Sequence, residues 1–229
     1  MNLKNLFSDS ERESINNAIT EAESGTSAEI LPIVTDASGG YDRGEDLFGL
    51  VTATVAVFLI WNLVQGADPT APWSTPDQPK LHYGLPALLA TIVVGFIAGA
   101  FVASKVWAIR YMLTPRREME TNLVHGAQRA FQLHRVGGTR GATGVLIYIS
   151  LFERMVHVIG DNTIREKLQD QDFVDVKDVI VKGFASGKGP EGLADGIRLC
   201  GTRLSEHFPI GADDQNELPN ELVLFEQGL

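Results

Sequence analysis

Four oxygen-bearing side chains offer the chain's best chance of chemistry: Ser27, Glu29, Thr143 and Asp161. Two carboxylates beside two hydroxyls suit a hard cation such as calcium or magnesium, which prefers oxygen ligands. A cation held there would polarise a phosphoryl oxygen. The competing reading makes Asp161 the cap of the helix that follows it and leaves Glu29 facing solvent. Two further acidic groups invite the same question. Asp170, Asp172, Asp175 and Asp178 follow helix and capping spacing and read as a solvated face. Asp213, Asp214, Asn216 and Glu217 lie in a polar tail, where they read as solvated or as a weak calcium site.

Other chemistries find no pattern. There is no G-x-S-x-G elbow for a serine nucleophile. Gly183 to Gly189 (GFASGKG) resembles a phosphate loop, but its spacing is wrong, no Ser or Thr follows the lysine, and it follows a helix. Gly137 to Gly144 precedes a strand, so it is not a dinucleotide fingerprint. His125 and His134 are nine positions apart on one helix, about 900° of rotation, which places them on opposite faces. His157 alternates with Val156 and Val158 and faces away from them. Arg and Lys total 19 against 29 acidic residues, a net charge of −10. No basic stripe relieves that balance, so a nucleic-acid backbone is not an expected partner. The one cysteine, Cys200, excludes an intrachain disulfide.

The elements that must position the four oxygens follow from periodicity. Ser8 and Glu11 form a capping box, and Ile15, Ile19 and Ala22 continue one apolar face as far as Gly25. Thr26 to Thr35 reads as a strand, at an edge or bulged because of Pro32. A helix is expected over about 116–134, a central strand over Val145 to Leu151, a tight turn at Phe152-Glu153-Arg154 and a return strand over Met155 to Gly160. Three helices follow: one near Thr163, one capped by Asp172, and one opening at Pro190. The first two strands are joined by a long crossover and should be parallel; the third is a hairpin partner and antiparallel. Asp161 then reaches the end of the sheet where Ser27, Glu29 and Thr143 begin. The tail beyond residue 209 carries few helix or strand signals.

Between the first two strands the composition changes. Leu47 to Val64 and Leu85 to Val102 are uncharged apolar runs of membrane-spanning length. Trp61, Trp73, Tyr83 and Trp107 stand near their ends, as interfacial rings do. Gly95 and Gly99 form a GxxxG face, suited to packing within the hairpin or against a second copy. Met1 to Ser10 lacks the apolar core of a signal peptide, so the first span is expected to act as its own insertion signal. Arg43, Lys105, Arg110, Arg116 and Arg117 flank the spans, whereas the connecting loop holds only Lys80 as a strong base. The positive-inside rule then puts both termini and the soluble part in the cytoplasm.

The expected fold is α/β: a small mixed β-sheet covered by helices, with a two-helix transmembrane hairpin inserted after the first strand. Residues 1–46 supply its first helix and strand, 47–107 the hairpin (spans 47–64 and 85–104), 108–209 the remainder of the domain, and 210–229 an acidic tail.

Four stretches in this order resemble the TPM-domain (TPM-phosphatase-like) membrane protein family. They are Thr26-Ser27-Ala28-Glu29-Ile30; Gly144 to Leu151 with Glu153-Arg154; Val158-Ile159-Gly160-Asp161 with Ile164; and Leu204 to Pro209 with Asn216-Glu217-Leu218-Pro219 behind it. The resemblance implies a compact α/β domain, often attached to a membrane. It implies either an accessory role, as in animal relatives that assist membrane receptors, or acid phosphatase activity, as described for thylakoid-lumen relatives in plants. The hairpin inside the domain departs from the common layout. The preferred expectation is a non-enzymatic accessory or assembly factor of a membrane protein complex in an inner or plasma membrane. The alternative is a divalent-metal-assisted acid phosphatase.

Overall fold

The computed structural model describes Leu3, 6–64, 84–211 and 213–225. The chain forms two compact units, one of Met1–Gly40 with Arg116–Leu229 and one of Tyr41–Pro115. The elements of the first unit that precede the second are α1 (Asp9–Glu23) and β1 (Glu29–Thr35). The second unit holds α2 (Asp42–Val64), α3 (Leu85–Lys105) and α4 (Trp107–Leu113). The first unit then resumes with α5 (Arg116–Leu133), β2 (Gly144–Ser150), β3 (Met155–Gly160), α6 (Asn162–Lys167), α7 (Val174–Ala185), α8 (Gly189–Ser205) and β4 (Val223–Phe225).

The α/β unit begins with the expected capping box. The Ser8 N–H donates to the Glu11 carboxylate at 2.7 Å, and the Glu11 N–H to Ser8 Oγ at 3.4 Å. Ile15, Ala18, Ile19 and Ala22 form the buried face of α1. The sheet order is β3-β2-β1-β4. β1 and β2 are parallel, and β2 and β3 antiparallel, as their connections require. Alternate residues feed two apolar layers. Ile30, Val34, Ile147 and Val158 meet Ile19, Ile180, Ile197 and Leu204 of the α1, α7 and α8 layer. Leu31, Ile33, Leu146 and Tyr148 meet Leu123 and Ala127 of α5 on the opposite face. β2 is buried at every position, which is why it reads as an unbroken apolar run.

β4 corrects the reading of the tail. Residues 223–225 add a fourth strand, parallel to β1, with Ile33 opposite Val223 and Thr35 opposite Phe225. Pro32 therefore stands at an open edge only over the first half of β1. The long helix expected to open on Asp172 is also different: residues 170–173 form a 3-10 turn, and Asp172 accepts the Gln169 N–H at 2.7 Å.

The helical unit starts earlier than the apolar run suggested, because α2 takes in Asp42 and Glu45, whose charges suit a helix N-terminus. Residues 41–46 thus leave the α/β unit. Gly95 and Gly99 are buried against α2: a Cβ on Gly95 would stand 2.9 Å from the Ala53 Cα, and one on Gly99 3.0 Å from the Gly49 Cα. Of the two arrangements open to the GxxxG face, packing within the hairpin is the one seen. Below it, buried Arg110 pairs with Glu45 at 3.3 Å. α2 and α3 are long and apolar enough to cross a membrane, yet only 11% and 6% of their apolar windows are buried within the protein. A core helix of a soluble protein of that composition would be mostly buried. The loop 65–83, with Trp73, Lys80 and Tyr83, lies outside the described residues.

Candidate functional site

Three of the four nominated oxygens meet in one place. Ser27, Glu29 and Thr143 line an open groove of about 380 Å3, together with Arg140, Asp213, Asp214 and Glu217. The pairing of Glu29 with Gly144 brings the loop before β2 alongside the start of β1. The Glu29 N–H donates to the Thr143 carbonyl at 3.3 Å, and Thr143 Oγ1 donates to the Ser27 carbonyl at 3.0 Å. From the tail, the Leu218 N–H donates to Glu29 Oε2 at 3.2 Å. Arg140 ties the same segment down: its N–H reaches Glu217 Oε2 at 2.8 Å and its Nε stands 3.2 Å from Glu217 Oε1.

Asp161 is not part of this groove. Its Oδ1 accepts the Asn162 N–H at 2.7 Å, capping α6, and its own N–H donates to the Gly144 carbonyl at 2.8 Å. The strand ends do meet as the topology predicts, with Gly144 between Glu29 and Asp161. The 3-10 turn Val136–Gly138 packs onto that Gly144 position, where any Cβ would overlap the Val136 carbonyl. Gly137 then faces the Asp161 carboxyl, whose Oδ2 is buried without a hydrogen bond. Glycine at 144 lets the turn settle there, and the turn keeps the two carboxylates apart.

The groove's electrostatics are those of carboxylates short of counter-charge. Burial pushes the Glu29 carboxyl up from its ordinary value; the Leu218 and Glu217 N–H groups oppose this, and the charges of Asp214 and Glu217 add to it. Glu23, beside it on α1, is pushed up to about 7, chiefly by burial, against the help of the Ile30 N–H that donates to it at 2.8 Å. Sequence reasoning missed Glu23 and Arg140 here, and read Asp213, Asp214 and Glu217 as a separate tail cluster. The tail is drawn in by β4, which left no signal to join them. Among the described residues, no three His, Cys, Asp or Glu side chains stand close enough together to hold a metal ion. Of the nominated quartet, Ser27, Glu29 and Thr143 line the groove, and Asp161 lies outside it as the cap of α6.

The other candidates fall into structural surroundings. His157 is half-buried, which lowers its pKa. Cys200 is wholly buried, and its thiol is pushed up to about 12, out of reach of thiolate chemistry near neutral pH. At the opposite end of the parallel strands, Glu153 is buried, accepting the Ser38 N–H at 2.8 Å and the Ser150 hydroxyl. The sequence marked Glu153 as a turn residue and as part of a stretch that carries the family resemblance, with no partner assigned to it.

No family model matches the chain, and no curated protein compared with it does either. Among solved structures, it is similar to the NMR structure of BA42 protein from the psychrophilic bacterium Bizionia argentinensis sp. nov.. The two share 19% identity and a TM-score of 0.55 over 96% of this chain and 95% of that one. At this identity the likeness shows a shared fold.

Proposed function

We propose that this chain is a membrane-anchored, TPM-like α/β module that serves as a non-enzymatic accessory or assembly factor of a membrane protein complex. The observation that carries the reading is the employment of its carboxylates. Glu29 holds the tail through the Leu218 N–H, and Asp161 caps α6. Both are engaged in holding backbone rather than presented together to a substrate. Anchoring is supported by the bare apolar surface of the hairpin, where Phe58 and Phe101 are 66% and 64% exposed. In this reading α2 and α3 span an inner or plasma membrane, and both termini lie in the cytoplasm.

Gently solubilised membranes should yield a stoichiometric protein partner on pull-down. Purified protein should hydrolyse an aryl phosphate only at background rate with calcium, magnesium or chelator, at acid or neutral pH. Metal-dependent turnover abolished by Asp161→Asn would replace this reading with the phosphatase one. Reporter fusions after Thr75 should report the outside and those at Leu229 the cytoplasm; the reverse pattern sinks the topology.

A further inference from the structure

We propose that α4 lies in the plane of the membrane surface, across the base of the hairpin, with its outward side against the phospholipid headgroup region. This rests on the anchored reading above and adds a third membrane-contacting element to it. α4 reads WAIRYML, and its one charged residue, Arg110, is also its one buried residue. Arg110 is 4% exposed, and its Nε stands 3.3 Å from Glu45 Oε1 in the first turn of α2. Met112 lies about 200° round the helix from Arg110 and is 83% exposed. Ala108 is exposed as well, and Trp107, Ile109, Tyr111 and Leu113 are half-buried. A helix facing water turns its charge outward and its apolar side in. α4 does the reverse, so its outward side is built for a medium other than water.

Where α4 sits identifies that medium. Val106 leaves helical geometry (φ −113°, ψ 96°), so the chain turns as soon as α3 ends at Lys105. The far end of α4 reaches the start of α2: a Cβ on Gly44 would stand 3.5 Å from the Arg110 carbonyl oxygen and 3.7 Å from the Leu113 Cβ. The 7 residues of α4 rise about 10 Å, close to the separation of two packed helix axes, about 8–10 Å. α4 therefore steps from the end of one span to the beginning of the other. Those two ends of a hairpin lie on one side of the bilayer, so a helix joining them runs along the surface. The rings of Trp107 and Tyr111 suit that depth, each with an apolar body and a polar tip. Lys105 divides in the same way beside them: it is exposed, and its ammonium stands 5.8 Å over the Phe101 ring. Continuity favours lipid over a protein partner. Phe101 and Val102, 64% and 46% exposed on α3, lead without a polar break other than Ser104 and Lys105 into Val106 and α4.

The test uses the full chain in vesicles of phosphatidylcholine and phosphatidylglycerol. Spin labels are placed through Met112→Cys and, mid-span in α3, Val94→Cys; both native side chains are exposed, so the labels displace no packing. Cys200 stays in place, because it is wholly buried with its thiol pushed up to about 12 and does not take the label. Collision with oxygen and with a nickel chelate gives each label's depth. The label at 94 should read near the bilayer centre, about 15 Å below the hydrocarbon surface. The label at 112 should read roughly 5–10 Å into the headgroup–acyl boundary. A label at 94 that meets the nickel chelate as freely as in buffer would overturn the anchored reading, and the placement of α4 with it. A deep label at 94 with an aqueous label at 112 would overturn the placement of α4 alone. So would a label at 112 as deep as that at 94, or one shielded from both collision partners, which would assign this side of α4 to a protein contact. Trp107 gives an independent reading without labels. In a Trp61→Phe, Trp73→Phe variant, bromines high on the lipid acyl chains should quench its emission more than bromines near the chain ends; equal or absent quenching would overturn the proposal.

Discussion

Along the outer side of β1 every backbone donor is accounted for. The Glu29 N–H bonds the Thr143 carbonyl on β2, so the outward positions are Ile30, Pro32 and Val34. The Ile30 N–H is met by Glu23, Pro32 has no N–H to offer, and Val34 lies opposite Leu224 of β4. Along the outer side of β3, Val156 and Val158 have no such arrangement among the described residues. The same sheet thus carries one edge closed by three different devices and one whose outward-turned residues, Val156 and Val158, are simply buried. Unpaired strand edges invite association, and the contrast shows two ways of limiting it: pairing and capping along β1, burial along β3.

The comparison breaks first at the strand both edges share. Ile147→Ala opens a cavity at a fully buried position of β2 and should cost about 2–5 kcal/mol. Native-state hydrogen exchange should quicken on β1 and β3 together. Loosening confined to one side would mean that the edges do not rest on one core.

A smaller change separates them. Leu224→Asp places a charge in β4, where Leu224 packs on the core, and should cost about 1–2 kcal/mol. The Val34 amide should lose protection while exchange at Val158 stays as it was. Equal changes at both amides would show that β4 is not an independent closure.

The smallest effect sharpens the role of Glu23. Its folded pKa of about 7 lies above the ordinary value of 4.5, so the folded chain holds a proton that the unfolded chain releases between those values. Stability therefore falls as pH rises through that window, and the cost is fully present above about 7. Glu23→Gln keeps an acceptor for the Ile30 N–H without the charge. Its urea midpoint should match wild type at pH 4, below the window, and exceed it at pH 8. A variant less stable than wild type at pH 8 would mean that the charged hydrogen bond outweighs the burial cost. Glu29 tilts the wild-type curve in the same direction, so only the difference between the two proteins reports Glu23.

Much of this arrangement was legible in the residues. The β-branched run between Arg154 and Asp161 marked the bounds of β3, and Ser8 and Glu11 marked the start of α1, whereas Pro32 suggested an edge strand and β1 instead lies between β2 and β4. β4 was not legible. Three residues beyond a polar stretch are too few to show alternation, and their pairing partner lies far back in the chain. The site suffered from the same blind spot. Ser27, Glu29 and Thr143 converge because strand order brings them together, which topology rules anticipate. Asp161 stands apart because a three-residue turn occupies the place above Gly144, and no periodicity announces such a wedge.

The hairpin between β1 and β2 also sets a clock. β2 ends at Ser150, 115 residues after β1 ends at Thr35. At a synthesis rate of roughly 5–20 residues per second, that interval lasts about 6–23 s. Throughout it β1 has been made and neither neighbouring strand exists, since β4 is later still. α2 and α3 are complete before the sheet can close, so in the membrane reading proposed above insertion can begin before the α/β unit is finished. Moving the hairpin to either end of the chain would remove that delay.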